Sequence, residues 1–275
     1  MFLLWARRFM LQLTGETPVP LQSLTRRRIG GSLAGVNSLS REPNSSKLTA
    51  KRLAKEVAQV FCGGWKRLWP RSWIILVACG AGMLLVVTFS DADNALVKKI
   101  RVEDQKVTSV AQFISDHADL MLAVPLSLAI WCAGVTGGRV RWRKVGLACL
   151  MAALAAGLFV NVFRATTGRP RPKAELADGF YGPHPSDSKY QSFPSGHATT
   201  STATAVVIAA AVPVTTIPCA IYAVAVSWSR IQLRMHHPID VTVGATIGLV
   251  CGLCFASAMP GSAIILRRRR RKRKS

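Results

Sequence analysis

Residues 72–90 read SWIILVACGAGMLLVVTFS, a run of 19 residues without one charged side chain. That length decides the fold. A helix rising about 1.5 Å per residue covers with such a run roughly the 30 Å hydrocarbon core of a bilayer, whereas strands are rarely so long. Residues 120–138 and 145–163 repeat the pattern, again 19 uncharged residues each. Residues 198–229 form a 32-residue uncharged window interrupted by Val212-Pro213-Val214-Thr215-Thr216-Ile217-Pro218, which reads as a tight turn between two spans. Residues 241–266 supply one more. The expected architecture is therefore all-α, a bundle of six transmembrane helices. The fourth and fifth are rich in Ala and Thr, as helices buried inside a bundle are. A soluble helical bundle with unusually apolar helices is the competing reading, and repeated windows of bilayer length weigh against it.

Composition agrees once it is divided along the chain. The 275 residues carry 36 Lys+Arg against 13 Asp+Glu, a net charge of +23, while half of all residues are apolar. A soluble nucleic-acid binder with that charge would be polar, and a soluble enzyme with that hydropathy would lack the charge. Here the two properties occupy different segments. Residues 1–71 hold 13 basic residues, the 139–144 loop four and the 267–274 tail eight, together 25 of the 36. With six spans these segments share one side, and the excess of positive charge assigns both termini to the cytoplasm. Loops 91–119, 164–197 and 230–240 then lie on the extracytoplasmic face.

Three regions follow. Residues 1–71 form a basic cytoplasmic region, partly disordered, in which 48–61 carries apolar residues at helical spacing beside Lys51, Arg52 and Lys55 and suits an interfacial helix. A cleavable organelle transit peptide is the rival reading of this Arg- and Ser-rich start. Residues 72–260 form the membrane domain. Residues 261–275 are a polybasic tail that resembles a nucleic-acid-binding segment in isolation; directly after a span it anchors topology and meets anionic lipid headgroups, so no nucleic-acid partner is expected. Six of the seven cysteines fall inside the spans and none in an extracytoplasmic loop, so no disulfide framework is expected. Cys251 and Cys254 read as packing residues rather than half of a zinc site.

The outer loops concentrate residues that packing does not require. The second opens with Arg164-Ala165-Thr166-Thr167-Gly168-Arg169-Pro170-Arg171-Pro172 and closes with Ser192-Phe193-Pro194-Ser195-Gly196-His197; the third reads Ser229-Arg230 through His236-His237-Pro238-Ile239-Asp240. Together they describe a phosphate site. Ser195 is a natural N-cap, and the backbone N–H groups of Gly196 and His197 form an anion cradle at the positive end of a helix. Arg164, Arg171 and Arg230 suit fork-shaped, charge-assisted bonds to phosphoryl oxygens. His236 and Asp240, four apart at the start of the last helix, share a face. Asp240 is expected to accept the Nδ1 proton of His236 and leave Nε2 to attack phosphorus.

Arg164-x6-Arg171-Pro172, Pro194-Ser195-Gly196-His197 and Ser229-Arg230-x5-His236-x3-Asp240 resemble the three-part signature of the type-2 phosphatidic acid phosphatase (PAP2) superfamily, over roughly residues 160–245. Arg164 departs from the family's usual Lys, keeping the charge but exchanging a point ammonium for a planar guanidinium. The resemblance implies a membrane lipid phosphatase that hydrolyses a lipid phosphomonoester or diphosphate at the extracytoplasmic helix ends. It makes His236 the nucleophile that forms a phosphohistidine, Asp240 its partner and His197 the general acid that later activates water. Arg164, Arg171, Ser195, Gly196 and Arg230 would form the phosphate pocket, with no metal and no cofactor. The location implied is an integral membrane protein, bacterial inner membrane in preference to an organelle. Transfer of the phosphoryl group to another lipid stays open, as does a non-enzymatic binder of anionic lipid or nucleic acid working through the basic termini. Arg169, Arg234 and His237 read as solvent or headgroup contacts, His117 and His184 as surface-loop residues, and Phe180, Tyr181 and Tyr190 as a lid or interfacial anchors.

Overall fold

The computed structural model describes residues 50–118 and 120–259. The expectations for residues 1–49 and for the basic tail lie outside the described residues. Within them the chain is all-helical: α1 (Ala50–Leu68), α2 (Ser72–Ile100), α3 (Gln105–Asp116), α4 (Leu120–Thr136), α5 (Val140–Thr167), α6 (Gly196–Ala211), α7 (Thr216–Gln232) and α8 (Pro238–Ala256). Among the described residues, extended pairing is confined to one isolated bridge between Arg169 and Gln191.

Each expected window overlaps one or two of these helices as far as the described residues reach, but length alone does not give six spans. Lys51–Ile100, Val140–Thr167, Pro213–Gln232 and Pro238–Ala256 are long and apolar enough to cross a membrane, and the bent pair α3 and α4 makes five if it counts as one span. Helix α6, expected as the fourth span, has 16 residues, about 24 Å, short of the roughly 30 Å hydrocarbon core. Its position explains how it tolerates that. It packs against α5, α7 and α8, and nine of its residues are buried, so protein rather than lipid surrounds much of it.

Small residues bring the central helices together. Gly244, Gly248 and Gly252 form a stripe on α8 facing α6, and a Cβ on Gly248 would run into the Thr199 carbonyl, Thr202 and Ala203. Such stripes allow the close backbone approach typical of helices packed in membranes. On α5, Ala148, Cys149, Ala152 and Ala156 are fully buried in the same core. The outward faces invert this pattern. Leu76, Leu84 and Val87 on α2, and Ile217, Ile221 and Val224 on α7, are exposed, an arrangement costly in water and suited to lipid.

Helix α1 extends the expected 48–61 segment to Leu68 and packs against α5 and α8. Its Glu56 receives Arg143 Nε at 2.9 Å and Nη2 at 2.7 Å, a forked ion pair, and Lys144 donates to Gln59 at 3.0 Å. The segment 139–144, expected as a loop, is the N-cap and first turns of α5, and two of its four basic residues tie α1 to the bundle.

Candidate active site

The site forms at one end of the bundle, where α5 and α7 finish and α6 and α8 begin. Gly168 ends α5 in the left-handed conformation, φ 63° and ψ 46°, which a side chain would disfavour. The turn sends residues 169–171 alongside 189–192: Arg171 N donates to the Lys189 carbonyl at 2.8 Å and Ser192 N to the Arg169 carbonyl at 3.0 Å. Phe193 is buried under Phe180, their rings 5.6 Å apart and edge-on. Ser195 N then donates to the Asp240 carbonyl at 3.0 Å, joining the start of α6 to the start of α8. Phe180 thus packs inward, while Tyr181, Tyr190 and His184 form a cluster within the loop itself.

Arg164, in the last turn of α5, donates Nε to the Pro194 carbonyl at 2.9 Å. Its guanidinium lies close to Gly196, where a Cβ would stand 3.0 Å from Nη2. Arg230, in the last turn of α7, donates Nη1 to Ser115 Oγ on α3. His197 and Arg230 line a cavity of about 490 Å³ together with Gln112, Asp116, Lys173 and Met235. Burial pushes the Arg171 guanidinium below its usual value, and its Nε makes no hydrogen bond to the described residues.

His236 is fully buried, and these groups surround it. Loss of water holds its imidazole well below the ordinary range, and the nearby charges of Arg164, Arg230 and Arg171, with His197, push the same way. The ring is neutral at neutral pH, as a nitrogen nucleophile must be. Its Nε2 and the hydroxyl of Ser195 are buried without a hydrogen-bond partner among the described residues. Ser195 does occupy the N-cap position expected of it, but its side chain makes no cap bond. Unsatisfied buried polar atoms cost about 1–3 kcal/mol each, so several in one place mark a built site. An imidazole nitrogen, a hydroxyl and three guanidinium groups suit a tetrahedral oxyanion such as phosphate.

The expected hydrogen bond from His236 to Asp240 is not made. His236 Nδ1 donates to the Ser192 carbonyl at 2.7 Å and stands 4.0 Å from Asp240 Oδ2. The oxygens of Asp240 are engaged elsewhere. Oδ1 takes Arg169 Nη1 at 2.5 Å, and Oδ2 takes Ser192 Oγ at 2.6 Å and His237 N at 2.9 Å.

Two residues expected at the surface are also buried. Arg169 is 0% exposed, donating Nη2 to Asp93 at 2.9 Å and to Asp178 at 2.7 Å as well as Nη1 to Asp240. Burial opposes its charge, but these carboxylates, Asp240 foremost, outweigh burial and hold the guanidinium more firmly protonated than usual. His237 caps α8 and reaches Asn94 on α2 with Nε2 at 3.1 Å. Adjacency to the motifs concealed both roles. The acid that pairs with Arg169, Asp93, lies three residues past the uncharged run 72–90 and gave no local sign of its burial. Arg234 does lie at the surface, pairing with Glu175 at 3.1 Å. His117 is exposed and bonded to its own helix.

The family model of the PAP2 superfamily matches residues 145–263. A lipid A 1-phosphatase of Rhizobium johnstonii is 30% identical over 133 residues, covering 42% of this chain and 53% of that protein. Undecaprenyl-diphosphatase BcrC of Bacillus subtilis is 28% identical over 148 residues, covering 54% of this chain and 72% of that protein. The chain spans about half the length of the lipid A 1-phosphatase it matches. Among solved structures, a transmembrane PAP2 type phosphatidylglycerolphosphate phosphatase from Bacillus subtilis superposes with a TM-score of 0.54 at 22% identity, covering 70% of this chain and 94% of that one. That likeness speaks to the fold.

Proposed function

We propose that this chain, whose residues 145–263 match the family model of the PAP2 superfamily, is an integral-membrane lipid phosphatase of that superfamily hydrolysing a lipid phosphomonoester or diphosphate. The observation that carries this reading is the buried Nε2 of neutral His236, without a hydrogen-bond partner among the described residues, with Arg164, Arg171, Arg230 and His197 close enough to bear on the ring's charge. In the first step Nε2 attacks phosphorus, the bond to the leaving oxygen breaks, and His197 gives that oxygen a proton. In the second, water attacks the phosphohistidine, His197 takes the water's proton, and free phosphate leaves with His236 restored. The arginines neutralise the equatorial oxygens in both steps, so the reading requires no metal.

The helices α2 and α4 to α8 serve as the six spans, with the site on the extracytoplasmic face and both basic ends in the cytoplasm against anionic headgroups. A site at the helix ends lies at headgroup depth, where a lipid presents its phosphate without leaving the bilayer. The named relatives act on lipid A and undecaprenyl diphosphate, both of which carry phosphate on a hydrophobic anchor. A bacterial inner membrane fits those two.

The test is phosphate release by detergent-solubilised protein, in EDTA, from phosphatidic acid, phosphatidylglycerophosphate, undecaprenyl diphosphate and lipid A, with His236→Ala alongside. Release from one lipid, lost in the variant while its melting temperature is kept, is the expected result. Wild-type release by His236→Ala would remove the mechanism. Lipid consumption without stoichiometric free phosphate would replace hydrolysis by transfer to an acceptor.

A further inference from the structure

The proton on His236 Nδ1 goes to a backbone carbonyl, and the residue supplying it is gripped on every side. Ser192 is 0% exposed. Its N–H donates to the Arg169 carbonyl at 3.0 Å, its hydroxyl donates to Asp240 Oδ2 at 2.6 Å, and its carbonyl accepts from His236 Nδ1 at 2.7 Å. The second oxygen of Asp240 is fixed by Arg169, which Asp93 and Asp178 hold in turn. We infer that Ser192 is a positioning residue for His236, and that Asp240 and Arg169 act on the imidazole through Ser192 rather than by direct contact. The inference rests on reading His236 as the nucleophile.

A carbonyl oxygen accepts and never donates, so it admits only the tautomer with hydrogen on Nδ1, and the Nε2 lone pair is left for the phosphate. The carbonyl can do this only while Ser192 is fixed. Its hydroxyl bond to Asp240 supplies that fixation, and Arg169 prevents Asp240 from turning towards the ring. Asp93 belongs to α2 and Asp240 to α8, so helices distant in sequence converge on the angle of one imidazole. The arrangement also explains why an aspartate four residues from the nucleophile stands 4.0 Å from it.

Ser192→Ala keeps the carbonyl and removes the hydroxyl, and Asp240→Asn keeps the shape and removes the charge. With a lipid substrate, Ser192→Ala is expected to lower kcat about tenfold at nearly unchanged KM, and in the Asp240→Asn background to cost less than about twofold more. Equal losses in both backgrounds, or a parental kcat, would overturn the inference. Binding supplies a readout that needs no turnover. Orthovanadate bonds to Nε2 and needs the ring angle, whereas inorganic phosphate needs only the surrounding donors. Ser192→Ala is expected to weaken vanadate about tenfold and leave phosphate affinity at the parental value, which also establishes that the variant is folded. Parallel loss of both, or of neither, would refute the role of Ser192. If the parent binds vanadate but releases no phosphate from any lipid, the phosphatase reading fails, while the two affinities still decide the role of Ser192.

Discussion

His236 sits where protonation is opposed twice, by burial and by a ring of cations. The sign of the effect is definite. A depressed pKa keeps the proposed nucleophile neutral below the ordinary imidazole value of 6.5, so the acid limb of kcat/KM is expected below pH 6.5 rather than at it. The same depression means that the folded state gains from neutral His236 above that value and loses the gain as pH falls towards the lowered pKa. Arg171→Gln removes one of the cations, so its acid limb moves up in pH. A pH–rate profile of both proteins checks this, and an unmoved limb would remove Arg171 from the causes of the depression. Arg164→Lys makes the opposite case. It keeps the charge and leaves the limb in place, but it loses the Nε bond to Pro194, and KM is expected to rise about two- to tenfold.

Among the elements, α8 carries two separate duties. Its first turn holds Asp240, and its glycine stripe sets its distance from α6 and hence the distance between Asp240 and Ser195. Gly248→Val is therefore expected to cost about 1–3 kcal/mol through overpacking and to lower activity with stability. Gly80 on α2 meets nothing within 4 Å where a Cβ would be, so Gly80→Ala is expected to be neutral or to stabilise by about 0.5–1 kcal/mol. Thermal melts of the two in one detergent make the comparison. Helices were the most legible level of this sequence, because uncharged runs of bilayer length admit few other structures. The grouping of the motif residues was legible too: Arg164, Arg171, Arg230 and His197 stand close enough to His236 to bear on its charge, and Gly196 lies against Arg164. The internal wiring was not. The i, i+4 spacing of His236 and Asp240 suggests a direct bond, but α8 begins only at Pro238, so His236 precedes the helix and Ser192, from another loop, bridges the two. Likewise Arg169 looked like one more arginine in a basic loop. Only the left-handed turn at Gly168 and Asp93, far away in α2, reveal that it points inward.

At the scale of the whole molecule, charge and chemistry set separate requirements that one orientation satisfies together. The basic residues 139–144 stand at the start of α5, just after its connection to α4 and at the opposite end of α5 from Arg164. In the proposed orientation positive charge is retained on the cytoplasmic side, and the end carrying Arg164, His197 and His236 faces away from the cytoplasm. The loop 172–191 that covers this end is largely half-buried or exposed and carries His184 beside Tyr190. In a variant freed of its seven cysteines, His184→Cys is then expected to react with a membrane-impermeant maleimide in intact cells. Thr136→Cys, at the exposed end of α4, reacts only after the membrane is opened. The reverse pattern would place the pocket in the cytoplasm and require the excess basic residues to lie outside, so the labelling order fixes from which leaflet the phosphorylated lipid must be presented.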